Sequence, residues 1–370
     1  MNNGNVKKKK KHIFYFDALR ALAITCVIMI HVLARLKGNV MVFYDGTLNF
    51  NWVFGDFFYV TTVIGVDLFL MLSGALLLGR EWNIKSFLGK RLPRIIEPFI
   101  FWGIVLSLFV ISIQYFNPGF LHVIDGFNIT NIVNFIIGAW RHTSWGFGPF
   151  WFFWMIFGIY LIMPIFNKWL LHADLKEAEY FLVIWLITCI FDYTLFINFP
   201  IKITYFSGPI GMVVAGYYLR HTQRKIFTNK YLPIILIVGV IACEIYASFL
   251  LSSPTKLVKF DRYSIFSAIE VIGVFLLFRN FSDIKINNKF LKVPDKIFHS
   301  SVASIAKYSY GIYLLDQVII NLVIRVLKVC HFNGYKSSII LAFILSFGVC
   351  WLIMAIFNRI PYVNRVIGAK

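Results

Sequence analysis

Charge is scarce in this sequence: Asp, Glu, Lys and Arg together make up 14% of its 370 residues. A soluble domain carries about 25%, so composition alone excludes an ordinary water-exposed surface. The charge present is one-sided, with 36 Lys and Arg against 17 Asp and Glu. Cysteine is equally thin. Cys26, Cys189, Cys243, Cys330 and Cys350 fall in or beside apolar runs without CxxC spacing, which argues against a disulfide scaffold and for small packing residues. Also absent are a GxSxG elbow, a P-loop, a glycine-rich dinucleotide turn and an HExxH helix. His12, His122, His142, His172, His221, His299 and His331 lack metal-ligand spacing, and no metal is expected. No cleavable leader is expected either, because the first apolar run follows a basic tail and is too long for one.

What is abundant is apolar. The chain is 59% hydrophobic, with a mean hydropathy of +0.75, and long runs recur at Ala18–Leu36, Phe181–Phe196 and Tyr231–Leu251. A spanning helix needs roughly 20 such residues. The pattern predicts an all-α, polytopic membrane helix bundle of about ten transmembrane helices, at 13–36, 59–79, 93–115, 150–171, 180–197, 203–220, 231–251, 263–279, 308–328 and 338–357. The net charge of +19 would suit nucleic acid if it covered one solvated face. Instead the basic residues sit at helix ends and in alternate loops, the positive-inside pattern. Membrane lipids rather than nucleic acid are therefore the expected surroundings, with both termini cytoplasmic.

The organisation expected is a basic cytoplasmic tail at 1–12, one transmembrane domain at 13–361 and a short cytoplasmic tail at 362–370. Within the outer loop Tyr115–Pro149, the stretch Asn131–Trp140 is apolar but too short to span, which predicts an interfacial or re-entrant piece. Trp140, Trp145, Trp151 and Trp154 cluster there as an aromatic belt would. Two basic cytoplasmic segments, Arg80–Arg94 and Arg279–Lys307, suit anionic headgroups or an anionic cofactor.

A polar side chain inside a span is costly, so each is a functional candidate. The first span reads FDALRALAITCVIMIHVLARL. At 100° per residue, Arg20 and His31 lie within about 20° of one face, roughly 16 Å apart along the axis. Asp17 is placed for an i,i+3 ion pair with Arg20. One helix thus carries a fixed cation toward the cytoplasm and an imidazole near the outer face, and imidazole suits general-base work on a hydroxyl. The plainer alternative is a hydrogen bond within the bundle for His31 and a snorkelling Arg20.

In GKRLPRIIEPF, Pro93 fits a first helical turn, which sets Arg91 and Arg94 at a cytoplasmic helix N-terminus suited to a phosphorylated cofactor. A charge anchor without ligand is the alternative, and Glu97 is spaced to pair with Arg94. In GVDLFLMLSG, Asp67 lies at a depth near that of His31 and is a candidate to orient the imidazole. Asp56 is a weaker rival nearer the outer boundary. Ser73 and Gly74 read as a close helix contact rather than a nucleophile.

These fragments resemble the acyltransferase-3 family, over about Phe14 to Pro361. Asp17-Ala18-Leu19-Arg20 with His31 is similar to its first-helix motif, Gly65–Gly74 to its second helix, and Arg91–Arg94 to its Arg-x-x-Arg. Trp151, Phe152, Tyr160 and Pro164 resemble its Trp-Phe…Tyr…Pro pattern, and Ser309–Leu314 resembles its SYGIYL stretch. The resemblance implies a membrane-bound O-acyltransferase of the bacterial plasma membrane. It would move an acyl group from acetyl-CoA or another acyl-CoA to a hydroxyl of a cell-envelope glycan or lipid-linked sugar. His31 would be catalytic, and Arg20, Arg91 and Arg94 would engage the acyl-CoA. The sequence departs from the family where Asp316 replaces a histidine common after SYGIYL, and where Pro149 or Phe150 replaces one before Trp-Phe. No appended extracellular hydrolase-like domain, such as some relatives carry, is expected. The competing expectation is a transporter or flippase of a polysaccharide or lipid-linked precursor, since intramembrane Asp and Arg also line transport paths.

Overall fold

The computed structural model describes residues 13–36, 47, 50–195, 197, 208–253, 256–281, 295–332 and 334–369. The Lys7–Lys11 tail, the start of the 203–220 span and the middle of the Arg279–Lys307 stretch, 282–294, lie outside the described residues. Within them the protein is all-helical, with a single isolated bridge between Ser253 and Lys256 and no strand. The helices are α1 (Phe14–Arg35), α2 (Phe50–Val63), α3 (Gly65–Leu77), α4 (Ile84–Phe116), α5 (Ile129–Trp140), α6 (Trp151–His172) and α7 (Leu175–Phe191). They continue with α8 (Pro209–His221), α9 (Lys225–Thr228), α10 (Tyr231–Leu251), α11 (Ile265–Asn280), α12 (Asp295–Val329), α13 (Tyr335–Phe357) and α14 (Val363–Val366).

Six stretches among the described residues are long and apolar enough to cross a membrane: Phe14–Arg35, Phe50–Leu77, Ile84–Phe116, Gly148–His172, Tyr231–Leu251 and Lys336–Phe357. The other expected spans differ for visible reasons. Helices α7, α8 and α11 have 17, 13 and 16 residues, short of the roughly 20 required. Helix α12 has 35 residues but is interrupted by Asp316, Gln317, Asn321 and Arg325. The short apolar stretch before Trp140 is indeed a helix of its own, α5, with 12 residues.

The helix expected to begin at Pro93 begins at Ile84, where the Asn83 side chain accepts from the Lys85 amide at 2.8 Å. Pro93 and Pro98 are carried inside it. Each removes one backbone donor from the ladder, but a helix of 33 residues has many others. Arg91 and Arg94 therefore stand in the body of α4, where backbone amides are already bonded. Any anion there meets guanidiniums and no helix N-terminus.

Two helix pairs set the frame. Helices α1 and α12 run parallel and in register. The Phe14 and His299 rings meet with centroids 3.9 Å apart, and the same interval along each helix brings His31 to Asp316 at 2.8 Å. That is roughly 25 Å of continuous side-by-side packing. Helices α3 and α8 run antiparallel with backbones touching. A Cβ on Gly74 would strike the backbone of Val213, and one on Gly216 would strike that of Met71. The Ser73–Gly74 pair is thus a close helix contact, with the Ser73 hydroxyl donating to Phe69 O at 2.9 Å.

The segment 362–369, expected as a free tail, folds back onto the bundle. Ile367 is fully buried, and its carbonyl accepts from Trp102 Nε1 at 3.1 Å. Gly368 has φ +82°, and a Cβ there would stand 3.0 Å from Tyr310 Cδ1. Gly311 likewise leaves room for the Ile367 carbonyl.

Overpacking a close contact costs about 1–3 kcal/mol and more when backbone is struck. Gly216→Val is expected to lower the melting temperature in detergent sharply. Gly158→Val, where nothing lies within 4 Å of the added Cβ, is expected to leave it nearly unchanged.

Candidate active site

A cavity of about 490 Å³ opens between α1, α3, α4, α6 and α12. One end is basic: Arg20, Arg80, Arg91, Arg94 and Lys307 all line it. The middle carries hydroxyls from Ser73, Tyr160, Ser309 and Tyr310. The inner end is apolar and aromatic, with Val27, Val66, Phe69, Phe152 and Tyr313.

Helical spacing explains how these residues converge. On α1, Arg20 and Val27 share the face on which His31 follows one turn later. On α12, Ser309, Tyr310 and Tyr313 share the face that next presents Asp316. The Tyr310 hydroxyl donates to Ile95 O at 2.9 Å, which ties α12 to α4 beside the arginines. Gly368 from the folded-back segment completes the wall.

The basic end carries an excess of cations. Arg20 has a carboxylate partner, with Nη1 3.0 Å from Asp17 Oδ1, as the i,i+3 spacing predicts. Arg94 and the exposed Glu97 form no ion pair among the described residues. Burial first, and then the like charge of Arg220, hold the Arg80 guanidinium below its ordinary pKa. Crowded guanidiniums of this kind favour an anion with several oxygens, which each can bind with two parallel N–H donors.

One turn beyond the inner end, His31 Nδ1 lies 2.8 Å from Asp316 Oδ2. The histidine side chain is 17% exposed and the aspartate fully buried. An ionised carboxylate only accepts, so with Asp316 ionised Nδ1 is the donor of this contact and Nε2 is left free for a second partner. This is the base-and-orienter arrangement that proton abstraction from a hydroxyl requires.

The carboxylate on His31 is thus Asp316 and not Asp67. Asp67 is fully buried on α3, and neither of its oxygens has a hydrogen-bond partner among the described residues. Its neighbours Val66, Phe69 and Ser73 face the cavity, whereas Asp67 is turned about 100° from Val66. Asp56 is held by Lys259 Nζ at 2.5 Å. The structure therefore brings Arg20, Arg91 and Arg94 to one cavity, sets His31 just beyond it, and leaves Asp67 elsewhere. Sequence reasoning missed Asp316 as the partner of His31, and reached Arg80 and Lys307 only as the ends of the two basic segments suited to an anionic cofactor. Asp316 carried a usable signal as a carboxylate in an expected span, but no spacing within α12 points to α1.

The comparison with known families decides the class. The acyltransferase domain of that family matches residues 13–355. The chain belongs to the acyltransferase-3 family. No curated protein and no solved structure matches it. Membership covers nearly the whole chain, so the His31–Asp316 pair and every residue lining the cavity except Gly368 lie in the acyltransferase domain of a protein whose apolar helices suit a multi-pass membrane setting.

Inorganic pyrophosphate is expected to bind the purified protein and to be competed by salt. Arg80→Ala with Arg91→Ala should weaken it by roughly tenfold or more, since each removes charge-assisted donors. Titration calorimetry reads both effects.

Proposed function

We propose that this acyltransferase-3 member moves an acyl group, acetyl first, from acyl-CoA to a hydroxyl of a cell-envelope glycan or lipid-linked sugar. The observation that carries this reading is the alignment of one cavity with two unlike ends. Its five cations suit the phosphates of CoA, and its apolar end leads to a histidine already paired with a carboxylate. Arg20 and His31, separated by roughly 16 Å on one helix face, match the reach of an extended pantetheine arm.

In this scheme His31 Nε2 takes the proton of the acceptor hydroxyl while Asp316 holds the ring and stabilises the imidazolium. The acceptor oxygen attacks the thioester carbonyl, the C–O bond forms and the C–S bond breaks. The departing CoA thiolate takes the proton from His31. The protein works in the bacterial plasma membrane with ten spans and both termini cytoplasmic, the shorter helices α7, α8, α11 and the polar-interrupted α12 completing the ten. The basic end then faces the cytoplasm, where acyl-CoA is made.

A second reading, translocation of a glycan precursor, draws on a different feature. Among the described residues, Glu244 is fully buried on α10 with neither oxygen bonded, as is Asp67 on α3, and Glu270 on α11 has one oxygen unpartnered. Intramembrane carboxylates of this kind mark ion or proton paths in transporters.

Acetyl-CoA is expected to bind wild type and His31→Ala alike and to bind Arg91→Ala/Arg94→Ala poorly. Turnover should fall by about 10²–10⁴ in His31→Ala, as for loss of a general base. Asp316→Asn should cost a similar order through loss of tautomer and imidazolium stabilisation, with donor binding intact. A folded wild type that binds no acyl-CoA would remove this reading and leave translocation, to be checked with Glu244→Gln and Glu270→Gln.

A further inference from the structure

The cavity does not reach His31. Its lining stops at Val27 on α1 and Tyr313 on α12, each one turn short of the His31–Asp316 pair. Three rings occupy this end. Phe152 packs edge-on against Tyr313 with centroids 5.1 Å apart, and Phe69 stands 6.3 Å from Phe152. Phe69 is half-buried. Phe152 and Tyr313 are buried, and the Tyr313 hydroxyl donates to the carbonyl of Pro149. That bond anchors the ring to the turn leading into α6, so α3, α6 and α12 each contribute one aromatic side chain to this end of the cavity.

From this geometry we infer that Phe69, Phe152 and Tyr313 form a collar that selects the acyl group by size. The inference rests on the donor reading above and deepens it. A thioester arm entering from the basic end must pass its acyl group through the collar to reach His31. An acetyl group adds one methyl beyond the carbonyl. A longer chain must either displace rings held by packing and a hydrogen bond, or double back into the cavity. The donor class is accordingly the short acyl-CoAs, and the rings are specificity-determining residues that do not take part in proton transfer.

An apolar pocket without a collar behaves in the opposite way. Each added methylene would then raise affinity by about fourfold. The two cases are separated by equilibrium binding of CoA, acetyl-CoA, butyryl-CoA and octanoyl-CoA to the purified full-length protein in detergent. Wild type is expected to bind octanoyl-CoA more weakly than acetyl-CoA by roughly tenfold or more, the range of an overpacked site. Phe152→Ala should reverse that order, and Phe152→Leu, a milder change less prone to misfold, should narrow it. Tyr313→Phe, which keeps the ring but loses its anchor to Pro149, should fall between wild type and Phe152→Ala. CoA, which has no acyl group to pass, should bind all four proteins equally and so reports that the cavity is intact. If octanoyl-CoA binds wild type more tightly than acetyl-CoA while CoA binds normally, the collar is overturned and the donor site stands. Equal chain-length preference in wild type and Phe152→Ala would overturn it as well. If none of the four ligands binds folded wild type, the donor reading fails and the collar with it.

Discussion

Away from water, the Asp316 carboxylate has few groups to turn to, and its hydrogen bond to His31 joins α12 to α1 at the depth where both are buried. An unpaired ionised group in such surroundings is strongly disfavoured, so the contact constrains register as well as chemistry. Sliding either helix by one residue would rotate its polar group about 100° away from the other. The Phe14–His299 ring contact at the far end of the same pair holds the register a second time. With two helices locked in parallel, the face that presents His31 and Asp316 also presents Arg20, Val27, Tyr310 and Tyr313 to a common space.

The cavity is then a consequence of how the remaining helices approach. Glycines at 74 and 216 let α3 and α8 meet backbone to backbone. Small residues serve this purpose in membranes, where apolar burial alone does little to hold helices together. Because α3 is drawn toward α8, its other face, with Phe69 and Ser73, is left to line the cavity. Arg91, Arg94 and Ile95 of α4 and Gly368 of the folded-back segment supply further wall of the cavity. The motif residues Tyr310, Gly311 and Tyr313 all act at this seam: one hydroxyl reaches Ile95 O, one glycine makes room for the Ile367 carbonyl, and one hydroxyl reaches Pro149 O.

Electrostatically the two ends of the cavity are opposites, and this gives it a direction. Five cations crowd the outer rim of one end, and the other end is closed by aliphatic and aromatic groups. A ligand with a polyanionic head and an apolar tail can enter in one orientation only. The same polarity sets the apolar end of the cavity one turn from the His31–Asp316 pair.

Length, hydropathy and helix periodicity were enough to read an all-helical membrane bundle, the Asp17–Arg20 pair, the shared face of Arg20 and His31, and the tight packing at Ser73–Gly74. Each of these depends on residues within a few turns of one another, and helical geometry is the same wherever the helix sits. The sequence missed whatever depends on one helix meeting another. Asp67 and Asp316 look alike as intramembrane carboxylates, and depth in the bilayer made Asp67 the natural partner for His31. Only the parallel register of α1 and α12 decides for Asp316, because a side chain's neighbours across a bundle follow from interhelical rotation, which no spacing along one helix encodes. The start of α4 was misplaced because proline is disfavoured inside a helix, yet this helix of 33 residues carries both Pro93 and Pro98 within it. The folded-back segment at 362–369 was unreadable too, since its anchor is a backbone carbonyl meeting an indole from a helix far away in the chain.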